Sequence, residues 1–155
     1  MVRPSSLIAA ALLLAACDPA APDSRSTTEA ADAVEIERPT PLSCDGNESE
    51  EGCRRYREVA MPAEFEAAMR GDYAAQRNVA WNFSTQSTDA TPRPIQACAW
   101  RIVIMATHPT ETHAGDQGNL DVDCNHLSAD DRDQADEVAN AIHRQIHGSD
   151  LPAAG

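Results

Sequence analysis

The placement of the cysteines constrains the fold of this 155-residue chain more than any other feature of its sequence. Four of the five cysteines lie between residues 44 and 124, whereas Cys17 directly follows a short apolar segment. An even set of cysteines in an exported chain is typical of a disulfide-stapled domain, and four cysteines allow three pairings. We predict the pairs Cys44–Cys53 and Cys98–Cys124, because each closes a modest loop worth roughly 2–4 kcal/mol. Four reduced core thiols are the alternative.

The N-terminal residues indicate export. Arg3 is followed by an unbroken apolar run from Leu7 to Ala16. A helix needs about 20 apolar residues to cross the core of a bilayer, and this run has roughly half that length. Its positive start, its length and its small C-terminal residues predict a secretory signal peptide over residues 1–16.

The four residues Leu14-Ala15-Ala16-Cys17 resemble the lipobox of bacterial lipoproteins. The resemblance implies cleavage before Cys17 and two or three acyl chains on that residue, which is enough for stable anchoring. It also implies a lipid-anchored protein on the periplasmic face of the bacterial cell envelope. Asp18 resembles an inner-membrane retention signal, and the outer membrane is the other destination. An ordinary signal peptide with a chance cysteine is the alternative.

The charge of the chain excludes one class of partner. Cleavage would remove Arg3, one of the 12 basic residues, and would change the formal net charge from −13 to −14. A chain this acidic repels phosphates, so we expect no nucleic-acid partner.

Composition divides the mature chain into three parts. Residues 17–42 carry the lipidated cysteine and a linker rich in Ala, Pro, Ser, Thr and acids, which has too little bulky apolar surface to order itself. Residues 43–150 are predicted to form a small domain, and residues 151–155 a disordered tail. Within the domain, residues 44–57 contain Gly46 and Gly52 and are interpreted as a loop held by a disulfide.

Apolar residues at helical spacing predict an all-α fold. Pro62 suits a first helical position, Gly71 suits a helix end, and Asp72 can cap the helix that follows. The first helix has one apolar stripe with i, i+4, i+7 and i+8 spacing: Met61, Phe65, Ala68 and Met69.

Two further helices follow. The segment from Ile95 to Thr107 is apolar on nearly every side, which predicts a buried helix, with a buried strand at WRIVIMA as the alternative. Ser128 can cap the last helix, Asp131 stands at the reciprocal capping position, and Gly148 ends it. Its apolar stripe comprises Ala135, Val138, Ala139, Ile142 and Ile146.

The segment AEFEAAMRGDYAAQRNVAWNF, from Ala63 to Phe83, resembles the SEL-like branch of the tetratricopeptide-type helical repeats. Two short helices meet at Gly71-Asp72-Tyr73, and alanines stand where the helices would cross. The resemblance extends to about Met105, since CAWRIVIMA is similar to the start of a following repeat. It implies a helical-hairpin scaffold that binds proteins and has no catalytic activity of its own.

The candidate metal ligands fall in two places. His143 and His147 share a face of the last helix, but they lack the Glu of a zinc-protease motif, and we interpret them as solvated or facing the helix dipole. Asp121, Asp123 and Asn125 match the first positions of a calcium loop. The Gly and the bidentate Glu that such a loop needs are absent: His126 and Arg132 occupy those positions. An acidic loop beside a disulfide is the other interpretation of this segment.

The aromatic residues Tyr73, Trp81 and Trp100 are predicted to lie in the core, with partner anchoring as the alternative. The sequence has no GxSxG motif and no identifiable catalytic triad, so we predict no enzymatic activity and no cofactor. We therefore predict a membrane-anchored module that binds a protein in the cell envelope. The alternative is a divalent-metal-binding module that uses the histidines and the acidic residues 116–133.

Overall fold

Helices make up the regular secondary structure of the part of the chain that the structure describes. The computed structural model describes residues 34–46 and 49–152, and within them it contains helices, one isolated antiparallel bridge between Pro41 and Ala90, and no strand. The predicted all-α fold is confirmed. No helix in this part is both long and apolar enough to cross a membrane. The elements are α1 (Glu50–Arg55), a π-helical segment (Tyr56–Ala60), α2 (Met61–Ala68), α3 (Tyr73–Phe83), α4 (Pro94–Thr107), α5 (Ala114–Cys124) and α6 (Ala129–His147).

Local signals place the helix ends where they were predicted. Gly71 and Gly148 follow α2 and α6 with φ angles of 88° and 74°, which glycine adopts without steric cost. The Asp72 carboxylate accepts a hydrogen bond from the Ala75 amide at 2.8 Å at the start of α3. The Ser128 hydroxyl caps α6 in the same way.

Helix α4 lies at the centre of the domain and packs against α3, α5 and α6. The predicted helix is therefore confirmed, and the strand alternative is wrong. Trp100 is fully buried in α4 and meets the Phe65 ring edge to face, with ring centres 6.2 Å apart. Neighbouring helices cover α4 on several sides, which explains its nearly uniform apolar composition.

Both predicted disulfides are present. Cys44 is joined to Cys53, and Cys98 of α4 is joined to Cys124, the last residue of α5. The second bridge is buried and ties the end of α5 to the central helix.

The prediction of a loop over residues 44–57 is wrong from Glu50 onward. Two acids begin α1 and two arginines end it, so its charges complement the helix dipole. The chain continues through the π segment into α2. The buried Arg57 of that segment donates to the carbonyl oxygens of Leu42, Ser43 and Thr88 at 2.6, 2.6 and 2.9 Å. Tertiary contacts of this kind stabilise the helical segment, which the local sequence does not predict because it contains glycines.

Residues on both sides of the predicted domain, 43–150, contact it. Residues 34–42, assigned to the linker, lie against the domain: the Thr91 amide donates to the Thr40 carbonyl at 2.8 Å, and Val34 and Ile36 pack on the core. Leu151, assigned to the tail, is partly buried, and its amide donates to Asn140 Oδ1. A few apolar side chains and backbone hydrogen bonds are enough to order these ends. Cys17 and the predicted signal peptide lie outside the described residues.

Helix α5 replaces the acidic loop that was expected around residues 121–125. Its first turn is closed by His113 and Asp116: His113 Nδ1 accepts from the Gly115 amide, and Asp116 Oδ2 accepts from the His113 amide at 3.1 Å each. Helix α5 contains two glycines, Gly115 and Gly118. Because glycine has a low helix propensity, the local sequence does not predict this helix.

Candidate binding cleft

A cleft of about 250 Å³ lies between α3, α4 and α5. One face of α3 forms its longest wall, because residues 74, 77, 78 and 81 follow the i, i+3, i+4, i+7 spacing of a single helix face. The side chains that line it are Ala74, Arg77, Asn78 and Trp81 of α3, Arg101 of α4 and Asn119 of α5.

A buried ion pair forms the floor of the cleft. Arg101 Nε lies 2.9 Å from Asp123 Oδ2, and the two side chains are only 4% and 3% exposed. The second carboxylate oxygen of Asp123 accepts a hydrogen bond from the Ser84 hydroxyl at 2.7 Å. Both oxygens of this carboxylate are therefore satisfied by the protein itself.

A second acid, Asp116, holds Arg77 at one end of the cleft. Arg77 Nε lies 2.8 Å from Asp116 Oδ1, but the N–H is not aligned with this oxygen, so the contact is an ion pair without a hydrogen bond. Asp116 Oδ2 accepts hydrogen bonds from the Tyr73 hydroxyl at 2.6 Å and from the His113 amide. Burial alone would raise the pKa of Asp116, but these donors and the charge of Arg77 outweigh it and lower the pKa below 3.8.

The lowered pKa of Asp116 predicts a loss of stability in acid. A carboxyl whose pKa is lower in the folded state stabilises the fold above its unfolded pKa, and this contribution is lost as the pH falls through the folded value. We expect the free energy of unfolding to fall below about pH 4, and to fall less steeply in Asp116→Asn. Urea unfolding at several pH values between 5 and 2 measures both slopes.

The matched control for this prediction is Asp136→Asn. Asp136 is exposed on α6, and its side chain makes no hydrogen bond or ion pair within the described residues. This variant should keep the slope of the wild type. A slope in Asp116→Asn equal to that of the control would contradict the role assigned to Asp116.

The predicted core aromatics have three different environments. Trp100 is buried as predicted, but the prediction is wrong for Trp81, which is 42% exposed and lines the cleft. Tyr73 is half-buried, and its hydroxyl donates to Asp116. Trp81 lies on the face of α3 that the other helices leave open, so it is available to a ligand.

The two histidines of α6 differ in exposure: His147 is exposed, as expected for a solvated side chain, whereas His143 is not. His143 is buried, and its Nδ1–H donates to the Ser149 carbonyl at 2.6 Å. Its ring centre lies 4.6 Å from that of His147, whose pKa is lowered by burial first and then by the charges of His143 and His108. In the described part of the chain, no three or more His, Cys, Asp or Glu side chains are arranged to hold a metal ion.

The aspartates of the suggested calcium loop do not converge. Both belong to α5, where residues two positions apart point in different directions. Asp121 is exposed and accepts from Gln117 Nε2, whereas Asp123 is buried on Arg101. The interpretation as a calcium-binding loop is therefore wrong, because the segment is helical.

Two smaller hollows lie beside the N-terminal segment. One, of about 130 Å³, is lined by Glu37 and Arg93, which pair with each other, and by Gln96, whose Oε1 is buried without a hydrogen-bond partner. The other, of about 100 Å³, lies between residues 38–41 and α2. Neither contains an exposed aromatic side chain, so the larger cleft is the better candidate site.

Sequence reasoning did not identify Arg77, Arg101 or Asn119 as site residues. They lie on three helices and form no motif, and only the spacing of Arg77 and Trp81 on one helix face was visible in advance. Comparison of the chain with protein-family models, with curated proteins and with solved structures finds no match.

Proposed function

We propose that this chain is a lipid-anchored protein of the bacterial cell envelope, and that it binds a protein partner through the cleft between α3, α4 and α5. The observation that carries the proposal is the exposed Trp81 beside Arg77 in a chain with only 4% aromatic residues. Tryptophan and arginine are the residue types most enriched among the residues that dominate protein–protein binding energy.

The walls of the cleft are held in place before a partner arrives. Arg101 is bound to Asp123, Arg77 is bound to Asp116, and the Cys98–Cys124 disulfide ties α5 to α4. A site whose side chains are already ordered loses less conformational entropy on binding. This rigidity favours a binding role for the cleft.

The proposed anchor limits the reach of the module. Residue Cys17 is the predicted lipidation site, and Val34 is the first described residue that packs on the core. The 17 peptide links between them span at most about 60 Å when fully extended. The partner would therefore lie on the same membrane or close to it.

A photo-crosslinking residue in place of Ala74 tests the proposal in the host cell. Ala74 is exposed and lines the cleft. We expect a discrete protein adduct that disappears when Trp81→Ala is added, because the adduct depends on the tryptophan. The same residue at Gln145, exposed on α6, is the control and should not give this adduct. Mass spectrometry identifies the adducts.

The Cys17→Ser variant tests the anchor in the same experiment. We expect the protein to lose its membrane attachment and the Ala74 adduct to weaken, because anchoring raises the local concentration of a membrane-bound partner. Unchanged attachment in Cys17→Ser would contradict the lipoprotein assignment. Identical adducts from positions 74 and 145 would contradict the binding role of the cleft.

A further inference from the structure

The hydrogen-bonding groups of the cleft are used unevenly. The carboxylates of Asp116 and Asp123 are each held by two or more neighbours. Arg77 contacts Asp116 and Arg101 contacts Asp123, in each case through Nε alone. Within residues 34–46 and 49–152, their terminal nitrogens have no hydrogen-bond or ion-pair partner, and neither does the side chain of Asn119.

This imbalance defines what the ligand has to supply. A guanidinium group carries five N–H donors and no acceptor, and four of the five are on the terminal nitrogens. The cleft therefore has surplus donors, while its two acids are buried and each is paired with an arginine. A ligand that complements it contributes acceptor oxygens.

The overall charge of the chain favours a ligand with a single anionic group over a polyanion. The chain has a formal charge of −13, so polyanions such as nucleic acids and anionic bilayers are repelled at long range. The two buried carboxylates also balance the formal charges of Arg77 and Arg101. Binding then depends on short-range geometry, and a planar carboxylate matches the planar fork of a guanidinium.

Trp81 indicates that the carboxylate belongs to a larger ligand. Trp81 is 42% exposed and lies one turn beyond Arg77 and Asn78 on the same face of α3. It offers an apolar surface to the methylene groups and backbone next to the acid. An open cleft of about 250 Å³ accommodates one side chain with its adjoining backbone, and not a folded domain.

We infer that the cleft binds a glutamate or aspartate side chain of the protein partner, presented by a segment that is otherwise neutral or basic. The carboxylate lies against the free nitrogens of Arg77 and Arg101, and Asn119 donates from the opposite wall. The adjoining backbone covers Trp81. This inference specifies the chemistry of the partner and rests on the protein-binding function proposed above.

The probe is N-acetylglutamate-N′-methylamide, titrated into the ¹⁵N-labelled mature chain. The readouts are the indole N–H of Trp81 and the Nε–H signals of Arg77 and Arg101. We expect saturable shifts of these signals with millimolar affinity, typical of so small a ligand. The neutral glutamine analogue should bind at least about tenfold more weakly, because it lacks the charge that strengthens hydrogen bonds to guanidinium.

A matched pair of variants locates the site. Asn119→Asp and Gln145→Glu add the same charge to the chain, the first in the cleft and the second on the exposed face of α6. Asn119→Asp should weaken glutamate binding by at least about tenfold through contact repulsion. Gln145→Glu should leave the affinity within about twofold of the wild type, since an exposed distant charge is screened by salt.

Several results would overturn the inference: no saturable shift, equal affinity for the glutamine analogue, equal effects of the two variants, or tighter binding of inorganic phosphate than of glutamate. The titration and the crosslinking at Ala74 can fail separately. Glutamate binding without a crosslink would leave the carboxylate site standing and contradict the protein-binding function. A crosslink without glutamate binding would do the reverse.

Discussion

Replacing Asp123 by leucine is expected to lower the free energy of unfolding by about 3–5 kcal/mol, because it leaves the buried charge of Arg101 without its partner. Arg101→Met should have an effect of similar size for the same reason. The double variant, which replaces both charges by apolar side chains, should be more stable than either single variant. Urea unfolding of the four proteins gives the coupling between the two sites.

The exposed pair of Arg144 and Asp150 provides the control. Its atoms are 2.8 Å apart, but the two side chains are 54% and 69% exposed. Arg144→Met should change the stability little, because solvent screens such pairs. Additive effects of Arg101→Met and Asp123→Leu would contradict the ion pair.

The double variant should also fold without binding glutamate, which separates the structural role of Arg101 from its role in the cleft.

Loss of the Cys98–Cys124 disulfide is the second large effect. The bridge lowers the conformational entropy of the unfolded chain, and its two cysteines are 26 residues apart in sequence. Its removal in Cys98→Ala/Cys124→Ala should therefore destabilise the fold by about 3.5 kcal/mol. The same calculation over the nine-residue separation of Cys44 and Cys53 predicts about 2.6 kcal/mol. Because Cys98 and Cys124 are also buried, their removal leaves unfilled space that adds to the first value. Urea unfolding under oxidising conditions compares the two double variants.

The position of the disulfide adds a functional consequence. Cys124 follows Asp123 directly, so the bridge to α4 holds the aspartate opposite Arg101. Glutamate binding should therefore weaken in Cys98→Ala/Cys124→Ala and persist in Cys44→Ala/Cys53→Ala. A larger loss of stability or of binding in the Cys44–Cys53 variant would contradict this assignment.

Features that depend on a few neighbouring residues were predictable. The ends at Gly71 and Gly148 and the caps at Asp72 and Ser128 are confirmed, because a positive φ or a capping hydrogen bond is decided within one helical turn. The apolar stripe of α2 is confirmed for the same local reason. The membership of α2 and α3 in a SEL-like repeat stays a prediction.

Two errors share one physical cause. Helix α1 and helix α5 contain glycines and few apolar residues, so their local sequences favour loops. Tertiary contacts stabilise both helices. A disulfide joins the last residue of α5 to α4, and the buried Arg57 hydrogen-bonds the segment after α1 to residues 42, 43 and 88. Tertiary packing overrides a weak local preference in both cases.

The sequence by itself determined the helical class and the helix ends at Gly71 and Gly148, since these follow from residue types at short and regular spacings, and it favoured the two disulfide pairs that the structure contains. Only the tertiary structure decided that Trp81 is exposed and that Arg77, Arg101 and Asn119 line one cleft. These residues come from three helices whose approach depends on how α4 is covered by its neighbours. No local pattern records that approach, because it results from burying the whole core at once.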